Sequence, residues 1–198
     1  MKNLMRAIII IFLLMIPLKT FASVMPDISA GETHFDLSSG CYILKNNVKV
    51  VARGRTMTAN EAKVQIMSQK VWASGNVTLE QKGYSFKCDS IYVQGKLKTV
   101  DVLGNVNFEQ DGIILITSRV GQFSWDTKVA NFYGDVNVKV INVENLKFGE
   151  EINPNEIDGV YDRVEYNVRE NIILLTEKHS ESIPKIEFPE PNPNEGEN

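Results

Sequence analysis

A short mark recurs along this chain at almost constant spacing. Its four copies are Asn46-Asn47-Val48, Gly75-Asn76-Val77, Gly104-Asn105-Val106 and Gly134-Asp135-Val136, so that successive copies begin 29, 29 and 30 residues apart. A glycine at 54, 83 and 112 keeps the same step of 29 residues. A period of roughly 20 to 50 residues is typical of a stacked array, in which each unit buries its apolar face only against its neighbours. The repeat therefore predicts an array of similar units.

Within a unit the side chains alternate between apolar and polar. Residues 100–103 read Val-Asp-Val-Leu and residues 106–109 read Val-Asn-Phe-Glu, on either side of one Gly-Asn pair. A period of two is the pattern of a β-strand with one buried face. The sequence therefore predicts strands with hardly any helix.

The Gly-Asn pairs fall in the middle of these strands. Glycine permits left-handed backbone angles, and Asn or Asp tolerates them, so each pair predicts a bend or bulge. The return strands shift phase at 60–61, 89–90 and 118–119, so the bends would stack into one crease and fold the sheet like a V. Turns at the glycine marks and at the opposite tips then give an antiparallel meander of long bent strands.

The chain begins with a segment typical of a secretory signal peptide. Lys2 and Arg6 precede an apolar run over residues 7–18, and Thr20 and Ala22 are small residues suited to cleavage after Ala22. The run is shorter than the ~20 residues that cross a bilayer. We expect residues 1–22 to be removed and the protein to be periplasmic, with a retained N-terminal anchor as the alternative.

Composition divides the remaining chain. Removal of Lys2, Arg6 and Lys19 changes the formal net charge from −4 to −7, and an acidic chain is a poor general binder of nucleic acid. Residues 23–180 have the size of one ordinary domain. Residues 181–198 are acidic and proline-rich with few side chains to bury, so we expect a disordered tail.

The repeat is interrupted once. Its period breaks between Ile141 and Asp158, which we interpret as a loop insertion, and a fifth unit follows with Val164, Tyr166, Ile172 and Leu174.

At this point the sequence resembles a known family. A signal peptide followed by units such as Leu-Lys-Thr-Val-Asp-Val-Leu-Gly-Asn-Val-Asn-Phe-Glu-Gln at 97–110 is similar to the OstA-like/LptA family of periplasmic lipopolysaccharide-transport bridge proteins. The resemblance covers 36–140 well and 160–176 loosely. It implies an all-β, V-shaped antiparallel β-jellyroll (β-taco), here built from units of about 29 residues. It also implies a groove that holds the acyl chains of lipid A, and partners in the inner- and outer-membrane export machinery.

An open groove would be lined by the apolar face of the strands. Each CH₂ group that an acyl chain buries there is worth about 0.8 kcal/mol, so such a groove would bind lipid firmly. In a closed sandwich the same side chains would simply be core. The candidate lipid-binding residues are Val48, Val50, Val64, Ile66, Val77, Leu79, Phe86, Ile91, Val93, Val102, Val106, Phe108, Phe123, Phe132, Val136 and Val138.

An open array also ends in two strands with unpaired backbone groups. Such edges are sites for adding a further strand. The candidate edge-to-edge interface comprises Phe35 and Leu37 at one end and Ile172 and Leu174 at the other. Edge pairing would produce a homo-oligomer.

The sequence offers no set of residues suited to catalysis. The histidines, His34 and His179, lie at opposite ends, no group of residues has the spacing of metal ligands, and no glycine-rich phosphate loop precedes a helix. We therefore expect a non-enzymatic protein without a cofactor or metal.

The two cysteines are too far apart to form a disulfide. In the predicted register, the positions of Cys41 and Cys88 along the strands differ by about eight residues, and each residue adds ~3.3 Å. A disulfide needs Cα atoms within ~7 Å of each other. The register thus predicts two free thiols.

Three functions follow in order. The first is a periplasmic lipid-binding bridge of lipopolysaccharide export that shields acyl chains between the two membranes. A variant is the membrane-anchored inner-membrane partner of the same pathway. The third is a non-catalytic surface or structural β-array, which would show a sealed core and a ladder of exposed aromatic residues, of which Trp72 and Tyr133 are the candidates.

Overall fold

Across the residues that the computed structural model describes, 26–149, 157, 159–176 and 183–194, twelve strands join into one sheet. The predicted signal peptide lies outside these residues. The strands are β1 (Asp27–Ser29), β2 (Glu32–Asp36), β3 (Cys41–Ala52), β4 (Arg55–Gln65), β5 (Lys70–Gln81), β6 (Tyr84–Gln94), β7 (Thr99–Gln110), β8 (Ile114–Ser124), β9 (Val129–Val140), β10 (Lys147–Phe148), β11 (Gly159–Asn167) and β12 (Ile172–Thr176). A 3₁₀ helix, Val143–Asn145, precedes β10.

The strands follow one another across the sheet in nearly the same order as in the sequence. β3 to β9 form an antiparallel meander, β11 and β12 extend it, and β1 and β2 pair with opposite ends of β3. The all-β fold and the antiparallel meander are therefore confirmed. One pairing differs, since β10 runs parallel to β12 at the end of the sheet. It lies in the part where the period breaks, and no alternating pattern marks it.

Every long strand is bent at its middle. The register shifts between Lys45 and Val48 in β3, and corresponding shifts occur in each later strand pair up to β9 and β11. Gly104 and Asn105 have φ of 73° and 45°, and the equivalent residues of the other marks are also left-handed. The stacked bends predicted from the repeat are confirmed, because this local backbone requirement is encoded in each unit.

The crease divides the sheet into two arms. The first arm consists of residues 48–58, 77–87, 106–117 and 136–140, around the glycine turns. The second arm consists of residues 41–45, 61–74, 90–103, 120–133 and 163–167. The apolar faces of both arms point inward and form one continuous hydrophobic cluster.

The fifth unit is shifted in phase from our expectation. In β12, Ile173 is buried and pairs with Tyr166, whereas Leu174 is 44% exposed. Asn171, with φ of 56°, closes the preceding turn. Residues 172–175 are all apolar, so alternation cannot identify which of them point inward, and the one-residue shift was not predictable.

Residues 183–194, here called the strap, cross the outer face of the second arm. Ile183 lies near Gly134 of β9, Phe188 packs on Tyr92 of β6, and Pro193 lies near Gly40 ahead of β3. Residues 183–194 of the expected disordered tail thus contact the sheet, whereas residues 181, 182 and 195–198 lie outside the described residues. The composition argument omitted the apolar side chains at 183 and 188, which contact residues far away in sequence.

Candidate functional site: a cavity between the two arms

The space between the arms is filled by aromatic rings from β6 onward. Phe86 on the first arm lies 5.8 Å from Phe123 on the second, measured between ring centroids, and Phe108 lies 5.4 Å from Phe132. Phe108 also contacts Tyr166, at 5.8 Å. All five rings are essentially buried. The arms are therefore closed on each other in this half of the molecule.

Towards β3, β4 and β5 the facing side chains are smaller, and a cavity of about 670 Å³ remains. This volume falls within the ~300–1,000 Å³ typical of small-molecule sites. Its apolar lining comes from both arms, with Val50, Ala52, Met57 and Leu79 on the first and Val64, Ile66, Val71 and Val93 on the second. The bulk of the inward residue in each unit thus decides whether the arms touch or leave a space.

The polar part of the cavity lining is basic. Arg53, Arg55, Lys70 and Lys98 line it, and the lining residues include no carboxylate. Each of the four lies in a turn, at the start of a strand or just before one. The Nη2 atom of Arg53 donates to Oε1 of Gln69 at 3.4 Å, which links the turns of the two arms at the rim. The cavity is therefore apolar inside with positive charge at its rim.

A cluster of four side chains closes the cavity towards β6. Arg55 lies over the ring of Trp125, with its guanidinium carbon 4.3 Å from the ring centroid. Arg55 Nε and the Tyr84 hydroxyl both donate to Oε1 of Gln81, at 3.1 and 2.7 Å. This closure cluster of Arg55, Gln81, Tyr84 and Trp125 joins the first arm to the second. It separates the cavity from the closed aromatic half.

Burial shapes the charges in the closure cluster. Burial lowers the pKa of Arg55, opposed by the nearby Tyr84 and reinforced by the positive charge of Arg53. It raises the pKa of Tyr84 to about 12, partly offset by Arg55 and Trp125. The neighbouring cations, Arg53 and Arg55, would be stabilised by an anion at the rim.

The structure brings all sixteen predicted groove residues to the inner face. Fourteen of them are buried, and Ile66 and Val93 are partly buried against the same cluster. Five line the cavity, namely Val50, Val64, Ile66, Leu79 and Val93. The others pack in the closed interior or around the crease, away from the cavity lining. The alternation of the sequence therefore identified the inner face, while the open part of it depends on packing between the arms.

Several lining residues were not among the sequence candidates. Met57 and Trp125 lie on the inner face, and Arg53, Arg55 and Lys98 lie at the rim. The two apolar residues continue the alternation of β4 and β8 and could have been found by it. The basic residues lie in or next to turns, where a solvated charge is common. They share one environment only because the turns of the two arms come together at the rim.

The predicted edge residues lie at or next to the ends of the sheet. Phe35 belongs to β2, and Leu37 in the following turn is 85% exposed. At the far end β10 pairs with Ile172 and Ile173 of β12, so the backbone of β12 is already paired there. Leu174 remains 44% exposed.

Other chemistry is sparse in the described part of the chain. No group of three or more His, Cys, Asp or Glu residues within it could hold a metal ion, and no helix within it is long and apolar enough to span a membrane. Cys41 and Cys88 are buried free thiols, as the register predicted. Burial raises the pKa of Cys88 to about 12.

Comparisons with known proteins agree with this architecture. The profile of a family described as OstA-like protein matches residues 45–166. The fold is similar to the crystal structure of LptH, described as the LptA-homologous periplasmic component of the conserved lipopolysaccharide transport device from Pseudomonas aeruginosa. That match has a TM-score of 0.53 and 12% sequence identity, and it covers 58% of this chain and 93% of the LptH chain. None of the curated proteins matches the sequence.

Proposed function

Because this chain belongs to the OstA-like protein family, we propose that it is a periplasmic lipid-binding bridge protein of lipopolysaccharide export. The observation that carries the proposal is the cavity between the arms, with its aliphatic walls and basic rim. LptH, whose fold is similar, is a component of a lipopolysaccharide transport device. In this proposal the protein binds and shields lipid, and it carries out no covalent step.

The walls of the cavity suit an acyl chain. Transfer of each CH₂ group from water into such surroundings is worth about 0.8 kcal/mol, so a chain of moderate length gains several kcal/mol. Met57 adds a flexible side chain that adapts to irregular shapes. The predicted groove residues Val50, Val64, Ile66, Leu79 and Val93 would contact the chain directly.

The rim suits an anionic headgroup. Arg53, Arg55, Lys70 and Lys98 lie at the rim, and Lys98 is paired with Asp126 at 2.6 Å. The two arginines would attract a phosphate or carboxylate, because Arg binds such groups with two parallel hydrogen bonds. An amphiphile with acyl chains inside and a negative headgroup at the rim matches both features. Lipid A is an amphiphile of this kind.

Movement of lipid past the cavity requires a change between the arms. The closure cluster and the rings of Phe86, Phe108, Phe123 and Phe132 block the path towards β9. Separation of the arms would expose the remaining predicted groove residues to lipid. Transfer between copies would follow through the exposed edge at β2 and the end formed by β12 and β10.

Site-specific photocrosslinking in intact cells tests the lipid site. A photoreactive phenylalanine analogue at Leu79 should give lipopolysaccharide adducts, whereas the analogue at Glu80, the outward neighbour in the same strand, should give none. A third position, Phe108, reports whether lipid enters the closed half. Absence of adducts at Leu79, or equal adducts at Glu80, would contradict the proposal.

Export is tested by the mature protein itself. We expect a periplasmic protein whose N-terminus is Ser23. The intact mass of the protein from a periplasmic extract checks this. A chain that keeps residues 1–22 and sediments with membranes would instead identify the anchored inner-membrane partner.

A further inference from the structure

An aromatic patch on the outer face of the second arm is covered by the strap. Trp72 and Tyr92, on neighbouring strands, stack with ring centroids 5.1 Å apart and an interplanar angle of 29°. Phe188 of the strap packs on Tyr92 at 5.7 Å. Although Tyr92 points outward, it is only 3% exposed. An outward aromatic residue of this kind is buried because another segment covers it.

Two side-chain donors bind the strap through its backbone carbonyls. The indole Nε1 of Trp72 donates to the carbonyl of Pro189 at 2.7 Å. The amide Nε2 of Gln65 donates to the carbonyl of Asn192 at 2.6 Å. Gln65 is itself 3% exposed and is oriented by Ser68, whose hydroxyl donates to its Oε1 at 2.5 Å. The amide is therefore held in position by a contact within the second arm as well as by the strap.

This arrangement suits a proline-rich chain. Proline has no N–H, so Pro189, Pro191 and Pro193 cannot contribute donors to a strand ladder and offer only carbonyl acceptors. Recognition of such segments depends on flat aromatic surfaces and on side-chain donors aimed at carbonyls. Trp72, Tyr92 and Gln65 supply both. Lys63 lies 3.9 Å from Glu190 and adds a weak, exposed charge contact.

The strap is attached to the sheet mainly through side chains of the sheet. The described strap residues form no strand with the sheet. A cavity of about 430 Å³ lies between them and the outer face, lined by Phe188, Pro189 and Pro191 on one side and by Lys63 and Trp72 on the other. A segment attached by side-chain contacts above an incompletely filled space can be exchanged without unfolding the sheet.

We propose that Gln65, Trp72 and Tyr92 form a binding site for an extended proline-rich peptide, and that residues 183–193 are its ligand within the same chain. The proposal is independent of the lipid cavity, which lies on the inner side of the arms. A tethered ligand acts at an effective concentration of the order of millimolar, so the strap competes with any similar peptide from outside. Weakening the strap therefore opens the site.

Binding of a labelled peptide to the full chain tests the proposal. The probe is a fluorescein-labelled synthetic peptide of residues 183–194, followed by fluorescence anisotropy. The Phe188→Ser chain should bind it about tenfold more tightly than the unmodified chain, because its own strap competes less. Adding Trp72→Phe to that variant keeps a ring but removes the indole N–H, and it should weaken binding about fivefold.

The controls distinguish specific recognition from nonspecific binding. Tyr133→Phe, a conservative change of another outward aromatic residue, should leave the affinity of the Phe188→Ser chain unchanged. A probe with alanine at 189, 191 and 193 should bind at least tenfold more weakly. Equal affinity of the unmodified and Phe188→Ser chains, or no effect of Trp72→Phe, would overturn the proposal.

A second measurement needs no added peptide. The chain has two tryptophans, so Trp125→Phe leaves Trp72 as the sole emitter. Adding Phe188→Ser should shift the emission of Trp72 to longer wavelength and increase its quenching by acrylamide at least twofold. Unchanged emission and quenching would show that the strap does not cover the site.

Discussion

At the scale of single residues, the bends depend on close approach as well as on backbone angles. A Cβ added to Gly104 would lie 2.9 Å from Cβ of Asp89 on the neighbouring strand. Gly112 has a similar φ of 67°, but a Cβ there would meet nothing within 4 Å. The bend glycine and the turn glycine are therefore under different constraints, although both keep the 29-residue step.

Alanine at these two glycines separates the constraints. Gly112→Ala should lower the free energy of unfolding by about 1 kcal/mol, the cost of a left-handed angle for a residue with a side chain. Gly104→Ala should cost about 2–4 kcal/mol, because the strand pair must also move apart. Urea unfolding of the two variants measures the difference. Equal losses of stability in the two variants would show that the Asp89 side chain moves aside with no cost in free energy.

Buried acids of high pKa make the fold sensitive to alkali. Burial raises the pKa of Cys88 to about 12, with the charge of Asp89 adding to it. Between about pH 9 and pH 12 the unfolded chain loses this proton while the folded chain keeps it. Because the folded state then binds more protons, the free energy of unfolding falls as the pH rises through this window. Below pH 8 the contribution is fully present.

The cysteine part of this effect can be removed by mutation. In urea titrations at pH 8, 9.5 and 11, the unmodified protein should lose stability steadily, at up to about 1.4 kcal/mol per pH unit for each such group. Cys88→Ala should reduce that slope. Tyr84 and Tyr166, whose pKa values burial also raises, should account for the remainder. An unchanged slope in Cys88→Ala would place the loss elsewhere.

At the scale of elements, the features that repeat were predictable and those that occur once were not. Alternation and the Gly-Asn marks are local, and they identified the strands, turns and bends because each unit needs the same backbone. The pairing of Lys147 with Ile172 and the docking of Phe188 on Tyr92 bring together residues far apart in sequence. Neither segment has a periodic pattern. The extent of the cavity could not be predicted for a related reason, since it depends on which inward side chains meet across the arms.

β5 offers a test of its two faces. Leu79 points into the cavity, and its neighbour Thr78 points to the outer side of the sheet. Leu79→Trp should fill part of the cavity and weaken lipopolysaccharide binding at least tenfold, whereas Thr78→Trp should leave it nearly unchanged. For the chain in which Leu79 and Thr78 are unchanged, lipopolysaccharide binding can be followed from the emission of Trp125 in a Trp72→Phe background. Calorimetry measures binding to the two tryptophan variants. Similar losses in both variants would contradict an internal site.

At the scale of the whole molecule, the two halves differ in how the arms are held together. Rings from both arms interlock between β6 and β11, while β3 to β5 surround an open volume. Packed interiors resist local opening more than those with voids. The strap lies across both halves, from Gly134 to Gly40.

Hydrogen exchange should show this asymmetry. Amides of β7 and β8 should exchange at least tenfold more slowly than those of the second-arm halves of β4 and β5. Added lipopolysaccharide should slow exchange in β4 and β5 by preferential binding to the folded state and should leave β8 nearly unchanged. Uniform exchange across the strands, or protection by lipid confined to β8, would contradict the placement of the cavity.

The closure cluster has a consequence for traffic through the molecule. Where Arg55 lies on Trp125, the cavity has no continuous path towards β6. If the protein carries lipid as we propose, transport along a row of such molecules would occur in separate transfers, each of which requires Arg55 to leave Trp125.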